Sequence, residues 1–401
     1  MMSKLKLFIE NFFIYGVGGI INKIIPLIML PIITRLMPNT AYFGISDLSN
    51  TIVSFGSSIA ILGMYDAMYR FFFDKDDERY KKSICSTTLL ITTTISSFVF
   101  LMMLEERNTL SQIFFGSKEY AYVICICAGT VFTTATNGII SAPTRMQNKR
   151  KVYLITNVIS SILAYTVSIP LILGGYYIIA LPIASMISGI VMGLIFAILN
   201  YEWFSIKLFD RRLLRPLFQF AIPTVPSFLI FWVFNSCDKI MITNFIGIGE
   251  AGIYSVSAKM GHASQLIYTA FAGGWQYFVF STMYEENQIK TNSRIFEYLG
   301  LISFVATMLL CAFSYRIFMI IFPKEYRSGY IAAPYLFLAP LLQMLFQVIS
   351  SQFSVIKKTG PSMLFLSVGA VINLIVNSKL IPAIGIEGAA IATLLGYVVA
   401  V

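Results

Sequence analysis

The chain is poor in charge. Only 12% of its 401 residues are Asp, Glu, Lys or Arg, about half the share of a soluble globular domain, so it cannot cover a water-facing surface of ordinary size. It has one histidine, His262, which excludes a multi-histidine metal site. Its five cysteines, Cys85, Cys125, Cys127, Cys237 and Cys311, are scattered and mostly sit inside apolar runs. That excludes a secreted disulfide framework, because a free Cys there packs as a small hydrophobe. Cys125 and Cys127 form C-x-C with no histidine nearby and are read as packing residues. G-x-S-x-G and P-loop motifs are absent, and no long polar loop offers an aqueous domain. Catalytic residues, a resident cofactor and a metal site are therefore not expected, and the chain is read as a non-enzyme.

What is present is hydrocarbon. Apolar residues make up 57% of the chain; this excludes disorder. At about 20 residues per membrane helix it corresponds to on the order of eleven spans. Short polar breaks separate twelve candidates: 8–35, 44–72, 83–104, 119–142, 152–173, 178–201, 216–243, 251–280, 295–321, 329–355, 360–379 and 385–401. The expected fold is an all-α polytopic membrane protein of about twelve transmembrane helices. Pro26, Pro31, Pro223 and Pro226 mark kink points. The first run follows Lys4 and Lys6 like a signal peptide. It is too long for one and holds Asn22 and Lys23 midway, so it is kept as span one.

The net charge of +10 is read as topology, not as a nucleic-acid footprint. With the N-terminus inside, nineteen of the 29 Lys and Arg fall on the inner side and seven on the outer; Lys23, Lys239 and Lys259 lie within spans. Such a bias supports the span assignment and a cytoplasmic N-terminus. Loop 74–78 (DKDDE) reads as solvated.

The halves repeat at an offset of about 209 residues. ITRLMPNTAYFGIS (33–46) resembles ITNFIGIGEAGIYS (242–255), with Ile33 and Thr34 on Ile242 and Thr243, and Gly44 and Ile45 on Gly252 and Ile253 after a gap. Lys149 maps onto Lys358 and Ala180 onto Ala389. Six spans per half give both halves one orientation, so two parallel six-helix lobes are expected, 1–205 and 206–401, around a central cavity. Transporters of this kind bind substrate between the repeats and rock one against the other. The twelfth span stops at Val401 without a polar flank, which leaves further helices open.

A charge in the bilayer centre costs roughly 2.5–3.5 kcal/mol on insertion scales, so each retained one calls for a reason. Lys23 lies in span one and Arg35 at its exit; Asp66 and Arg70 lie in span two; Asp238 and Lys239 in span seven; Lys259 and His262 in span eight. These are the first two spans of each half. Lys23, Lys239 and Lys259, with Arg35 and Arg70 at the mouths, would give a cationic cavity suited to an anionic phosphate ester. Asp66, Asp238 and His262 are candidates for ion coupling. Each has a structural alternative: Arg35 and Arg70 could snorkel, Asp66 and Arg70 could pair at i,i+4, Asp238 could neutralise a cation in a helix interface, and His262 could be a satisfied interior residue. Small-residue runs GVGG (16–19), GSS (56–58), GG (273–274) and GAA (388–390) read as helix contacts.

The segment from Asn22 to Phe73 resembles the opening of Wzx-type polysaccharide-biosynthesis flippases of the multidrug/oligosaccharidyl-lipid/polysaccharide exporter superfamily. The family element P-x-x-T-R followed by Y-G is matched by Pro31, Thr34, Arg35, Tyr42 and Gly44, with Phe43 inserted. An Arg followed by aromatics is matched by Arg70–Phe73. The element D-[RK]-x-x-[IL]…G-x-Y-S is matched by Asp238, Lys239, Met241, Ile242, Gly252, Tyr254 and Ser255. A later one is matched by Lys357, Lys358, Asn373, Asn377, Pro382, Gly385, Gly388, Ala389, Ala390, Ala392 and Thr393.

The resemblance implies a MATE-like two-lobed transporter moving undecaprenyl-pyrophosphate-linked oligosaccharide for O-antigen, capsule or exopolysaccharide. A cation-lined cavity and a proton or Na⁺ gradient would drive it. Its partners would be the polyprenyl-pyrophosphate substrate, membrane lipids, and polysaccharide polymerase and chain-length proteins. The rivals are a MATE-like multidrug or cation antiporter, which would favour buried acids over bases, and a membrane polysaccharide polymerase or ligase, which would need a large outer loop.

Overall fold

The computed structural model describes residues 24–281, 287–356 and 360–401. A backbone in hydrocarbon must satisfy its own hydrogen bonds. Long apolar runs accordingly become helices, and no strand occurs among the described residues. In chain order these are α1 (Ile24–Leu36), α2 (Thr40–Ile61), α3 (Met64–Phe72), α4 (Glu78–Glu105), α5 (Arg107–Phe115), α6 (Ala121–Met146), α7 (Arg150–Leu173), α8 (Ala180–Leu199), α9 (Leu214–Ala221), α10 (Val225–Ile246), α11 (Ile248–Gly261), α12 (Gln265–Ser281), α13 (Gln288–Ile321), α14 (Ala333–Val355), α15 (Gly360–Ile384) and α16 (Ile386–Ala400).

Among the described residues eight helices are long and apolar enough to cross a membrane, nine when the bent pair α2–α3 counts as one span. The other three expected spans correspond to shorter helices: α1, the α11–α12 pair of 14 and 17 residues, and α16 of 15 residues. Residues 8–23 of the first span, with Lys23 and the GVGG run, lie outside the described residues.

Span two is not the single helix expected. Leu62 (φ 47°) and Gly63 (φ 70°) adopt left-handed backbone, and α2 and α3 bend by 48° across them. Glycine is required at 63: a Cβ there would meet the Thr224 hydroxyl at 2.5 Å and the Ala221 carbonyl at 2.6 Å. Span seven breaks at Ile222–Thr224, at one of the predicted prolines, because Pro223 has no N–H to give the helix.

By contacts the chain forms two compact units, Met1–Gly44 with Val233–Val401, and Ile45–Trp232. This division falls elsewhere than the 205/206 boundary expected from the repeat. One reason is visible in the second unit. Connector residues 201–213 are stitched to α4: Ser83 Oγ donates to the Leu208 carbonyl at 2.8 Å, and the Ser205 and Asp210 amides donate to Ser86 Oγ (2.9 Å) and Thr87 Oγ1 (3.0 Å). Helix α9 then completes a core with α3, α4 and α6 around Met68, Ile84, Ile139 and Leu217. Asn200 closes it, donating to the Ile140 carbonyl (2.9 Å) and Thr144 Oγ1 (2.8 Å).

The acidic loop is more than solvated: Asp74 pairs with Arg70, Asp76 with Lys81 (2.5 Å) and Glu78 with Lys82 (2.7 Å).

The internal repeat reappears in the element order. Helices α4, α6 and α7 begin at 78, 121 and 150, and α13, α14 and α15 at 288, 333 and 360. Thr34 and Thr243 are both buried, and each returns its hydroxyl to the carbonyl four residues back, Leu30 at 3.0 Å and Lys239 at 2.9 Å. Within the first unit Gly44 and Gly252 meet: a Cβ on either would lie 3.0–3.1 Å from the other's amide nitrogen. Repeat-equivalent glycines thus mark one crossing. The small residues expected at contacts are there too, with Gly56 against Val131 and Gly388 against Leu380.

Candidate substrate and ion site

In the first unit α10 carries Asp238 and Lys239 to a small pocket, whose wall also includes Tyr254, His262, Gln265, Gln343 and Thr393. These come from helices distant in sequence. Helix α11 ends at Gly261 because a helical turn of 3₁₀ type, His262–Ser264, follows it. A Cβ on Gly261 would meet Leu336 Cβ at 2.7 Å, so the glycine lets α14 close the cavity.

Asp238 is 5% exposed. A buried carboxylate is tolerated only when bonded, and Asp238 is. One oxygen accepts from the Lys239 amide at 2.8 Å and the other from the Tyr254 hydroxyl. Behind Tyr254, which is bonded to Thr393, the chain continues. Asn373 Nδ2 donates to Thr393 Oγ1 at 3.2 Å and Asn377 Nδ2 to Asn373 Oδ1 at 3.2 Å. All of these side chains are buried. Linked donors polarise one another and stabilise the charge at the end of the line. At the far end Asn377 Oδ1 is buried with no hydrogen-bond partner.

A second, more open cavity adjoins the first, since His262 and Gln265 line both. Lys259 lines it with Pro26 and Leu27 of α1, and its ammonium lies 5.0 Å from the Phe43 ring centroid, a cation–π contact.

The structure therefore brings together Asp238, Lys239, Lys259 and His262 of the residues marked in the sequence. Arg35 lies elsewhere in the same unit, donating to the Ile320 (3.4 Å) and Ile321 (3.0 Å) carbonyls at the C-terminal end of α13, where a cation meets the negative end of the helix dipole. Asp66 and Arg70 belong to the second unit. Arg70 is exposed and pairs with Asp74, not Asp66. Lys23 lies outside the described residues. Tyr254, Asn373, Asn377 and Thr393 are motif positions with no charge to mark them in the sequence; in the fold they bond in line toward Asp238.

Residues 8–283 match the family of polysaccharide biosynthesis proteins. The chain belongs to that family. An uncharacterized membrane protein of Methanocaldococcus jannaschii is 30% identical over 198 residues, 47% of this chain, and the match spans 38% of that relative's length.

Among solved structures this polysaccharide biosynthesis protein resembles the lipid II flippase MurJ in an inward closed conformation (TM-score 0.80, 14% identity, 96% of this chain and 85% of that one). It also resembles a multidrug resistance MATE family transporter of the MOP superfamily facing inward (TM-score 0.73, 13% identity, 95% of each chain). A third likeness is a MOP superfamily transporter from Pyrococcus furiosus (TM-score 0.66, 14% identity, 98% and 92%), described by a binding pocket of reversed polarity. At these identities the likeness establishes the fold: an all-α, MATE-like membrane protein.

Proposed function

We propose that this protein is a flippase that carries polyprenyl-pyrophosphate-linked oligosaccharide across the bacterial cytoplasmic membrane for surface polysaccharide synthesis, with its N-terminus in the cytoplasm. A pyrophosphate head cannot cross hydrocarbon unaided. The observation that carries the reading is the pair of adjoining cavities whose described lining includes two lysines, Lys239 and Lys259, and one acid, Asp238. Lys239 and Lys259 supply point charges for phosphate oxygens, with Lys23 as their proposed third member from span one. Arg35 and Arg70, engaged with carbonyls and with Asp74, are proposed as secondary contacts at the mouths.

The proposed coupling site is Asp238. A buried carboxylate tied to Tyr254 at the head of a hydrogen-bonded line suits a proton or a dehydrated Na⁺. His262, between the two cavities, is a second proton carrier in this scheme, and Asp66 a third on the other unit.

The test is reconstitution in liposomes with a labelled polyprenyl-pyrophosphate oligosaccharide and a membrane-impermeant reagent that modifies sugar on one leaflet. Wild type should move the label between leaflets, and Lys239→Ala and Lys259→Ala should slow it by at least about tenfold each, as expected for losing one charge-assisted phosphate contact. No movement by wild type, joined to efflux of an organic cation from the same vesicles, would establish the antiporter instead. In cells Lys23→Ala and Lys239→Ala should abolish surface polysaccharide while the protein still inserts.

A further inference from the structure

Away from those cavities, the start of α13 and the end of α14 flank an open groove. Its floor is an apolar cluster in which Trp275 and Val279 of α12 pack with Val348, Phe296 and Val355. Trp275 Nε1 donates to Ser351 Oγ at 3.2 Å and holds α12 against α14. The groove walls are mostly hydrocarbon, and Ile289 (77% exposed) stands at its rim.

One side chain in this wall is out of place. Asn292 is 4% exposed, yet neither its Oδ1 nor its Nδ2 has a hydrogen-bond partner. Gln352 Nε2, across the groove on α14, is also buried without one. Membrane helices can place leucine at such positions at no cost, and a buried carboxamide with both ends open is unfavourable unless something bonds it. What bonds it must offer an acceptor to the two NH₂ groups and a donor to the oxygen, beside a long apolar surface. On the next face of the same helix Lys290 and Arg294 are exposed, and among the described residues neither takes part in an ion pair. Glu297, one turn on, is the one acid among the groove's described lining residues, so among the described residues of this turn two cations stand against one carboxylate.

We infer that this groove is a binding site for an anionic, hydroxyl-bearing glycerophospholipid of the surrounding membrane, such as phosphatidylglycerol. An ester carbonyl accepts from Asn292 and Gln352, and the head-group hydroxyl donates to Asn292 Oδ1. The phosphate sits beside Lys290 and Arg294, and an acyl chain runs along Phe296, Val348 and Phe353. The site shares no residue with the two cavities around Asp238 and does not depend on the transported substrate.

The test is lipid retention by the purified, delipidated full chain, followed by native mass spectrometry with phosphatidylglycerol or phosphatidylcholine added back. Wild type should keep one phosphatidylglycerol, held on the order of tenfold more tightly than phosphatidylcholine because two cations face the anionic head. Asn292→Leu should lose retention of both lipids. Lys290→Ala with Arg294→Ala, exposed changes that leave the core intact, should remove the preference for the anionic lipid and little else. Equal retention of the two lipids by wild type, undiminished phosphatidylglycerol on Asn292→Leu, or its displacement by stoichiometric polyprenyl phosphate would overturn the assignment.

Discussion

The crossing of α2 and α11 gives the sharpest prediction. A Cβ at Gly252 would lie 2.0 Å from the Thr40 carbonyl oxygen and 3.1 Å from the Gly44 amide. An ordinary contact needs about 3.4 Å or more, so the two backbones must part by more than about 1 Å. Separation of that size forfeits a quarter to a half of the dispersion energy of each atom pair along the seam, and overpacking generally costs about 1–3 kcal/mol. Because the obstacle is backbone on both sides, Gly252→Ala should fall at the upper end, about 3 kcal/mol.

Gly300 on α13 is the internal reference, since a Cβ there meets nothing within 4 Å. Gly300→Ala should be neutral or raise stability by up to about 1 kcal/mol through helix propensity. Gly44→Ala should behave like Gly252→Ala, its Cβ falling 2.4 Å from the Ile248 carbonyl. The double variant should cost less than the sum of the two, because the first substitution has already opened the seam. Thermal melting of the purified variants in one detergent measures all four. A Gly252→Ala protein that melts with wild type, or an equal loss at Gly300, would refute the close-approach reasoning.

Arg35→Ala should lower the melting temperature, by an amount equivalent to about 0.5–1.5 kcal/mol, because Ile320 and Ile321 lose a donor; transport lost at unchanged stability would show that Arg35 serves substrate directly. Tyr254→Phe removes a charge-assisted bond to Asp238 worth about 1.5–3 kcal/mol and should destabilise, whereas Asp238→Asn should leave insertion intact and make flipping in proteoliposomes insensitive to the imposed ion gradient. A response that persists in Asp238→Asn would remove it from the coupling scheme. Single cysteines introduced into a cysteine-free background should be labelled from the cytoplasm at 74–82 and from outside at 105–118; the opposite pattern would reverse the proposed topology.

Composition and run length together determined that this protein is a bundle of membrane helices, because continuous apolar runs of about 20 residues satisfy their backbone in hydrocarbon as helices. The repeat was legible for the same kind of reason: Thr34 and Thr243, or Gly44 and Gly252, keep their identities where two helices must touch or bond locally. Break points were legible only in part. Pro223 announces itself by its missing N–H, but Leu62–Gly63 takes left-handed backbone at a place where Ala221 and Thr224, some 160 residues away, leave no room for a side chain.

The site divides along the same line. Asp238, Lys239, Lys259 and His262 stood out because charge is costly in hydrocarbon, and their gathering around adjoining cavities followed. Arg35 and Arg70 stood out equally, yet the fold gives one the carbonyls of Ile320 and Ile321 and the other Asp74. Tyr254, Thr393, Asn373 and Asn377 are neutral and unremarkable one at a time. Only packing of α10, α11, α15 and α16 joins them into a line of donors, since a hydrogen bond depends on distances that no spacing along the chain encodes.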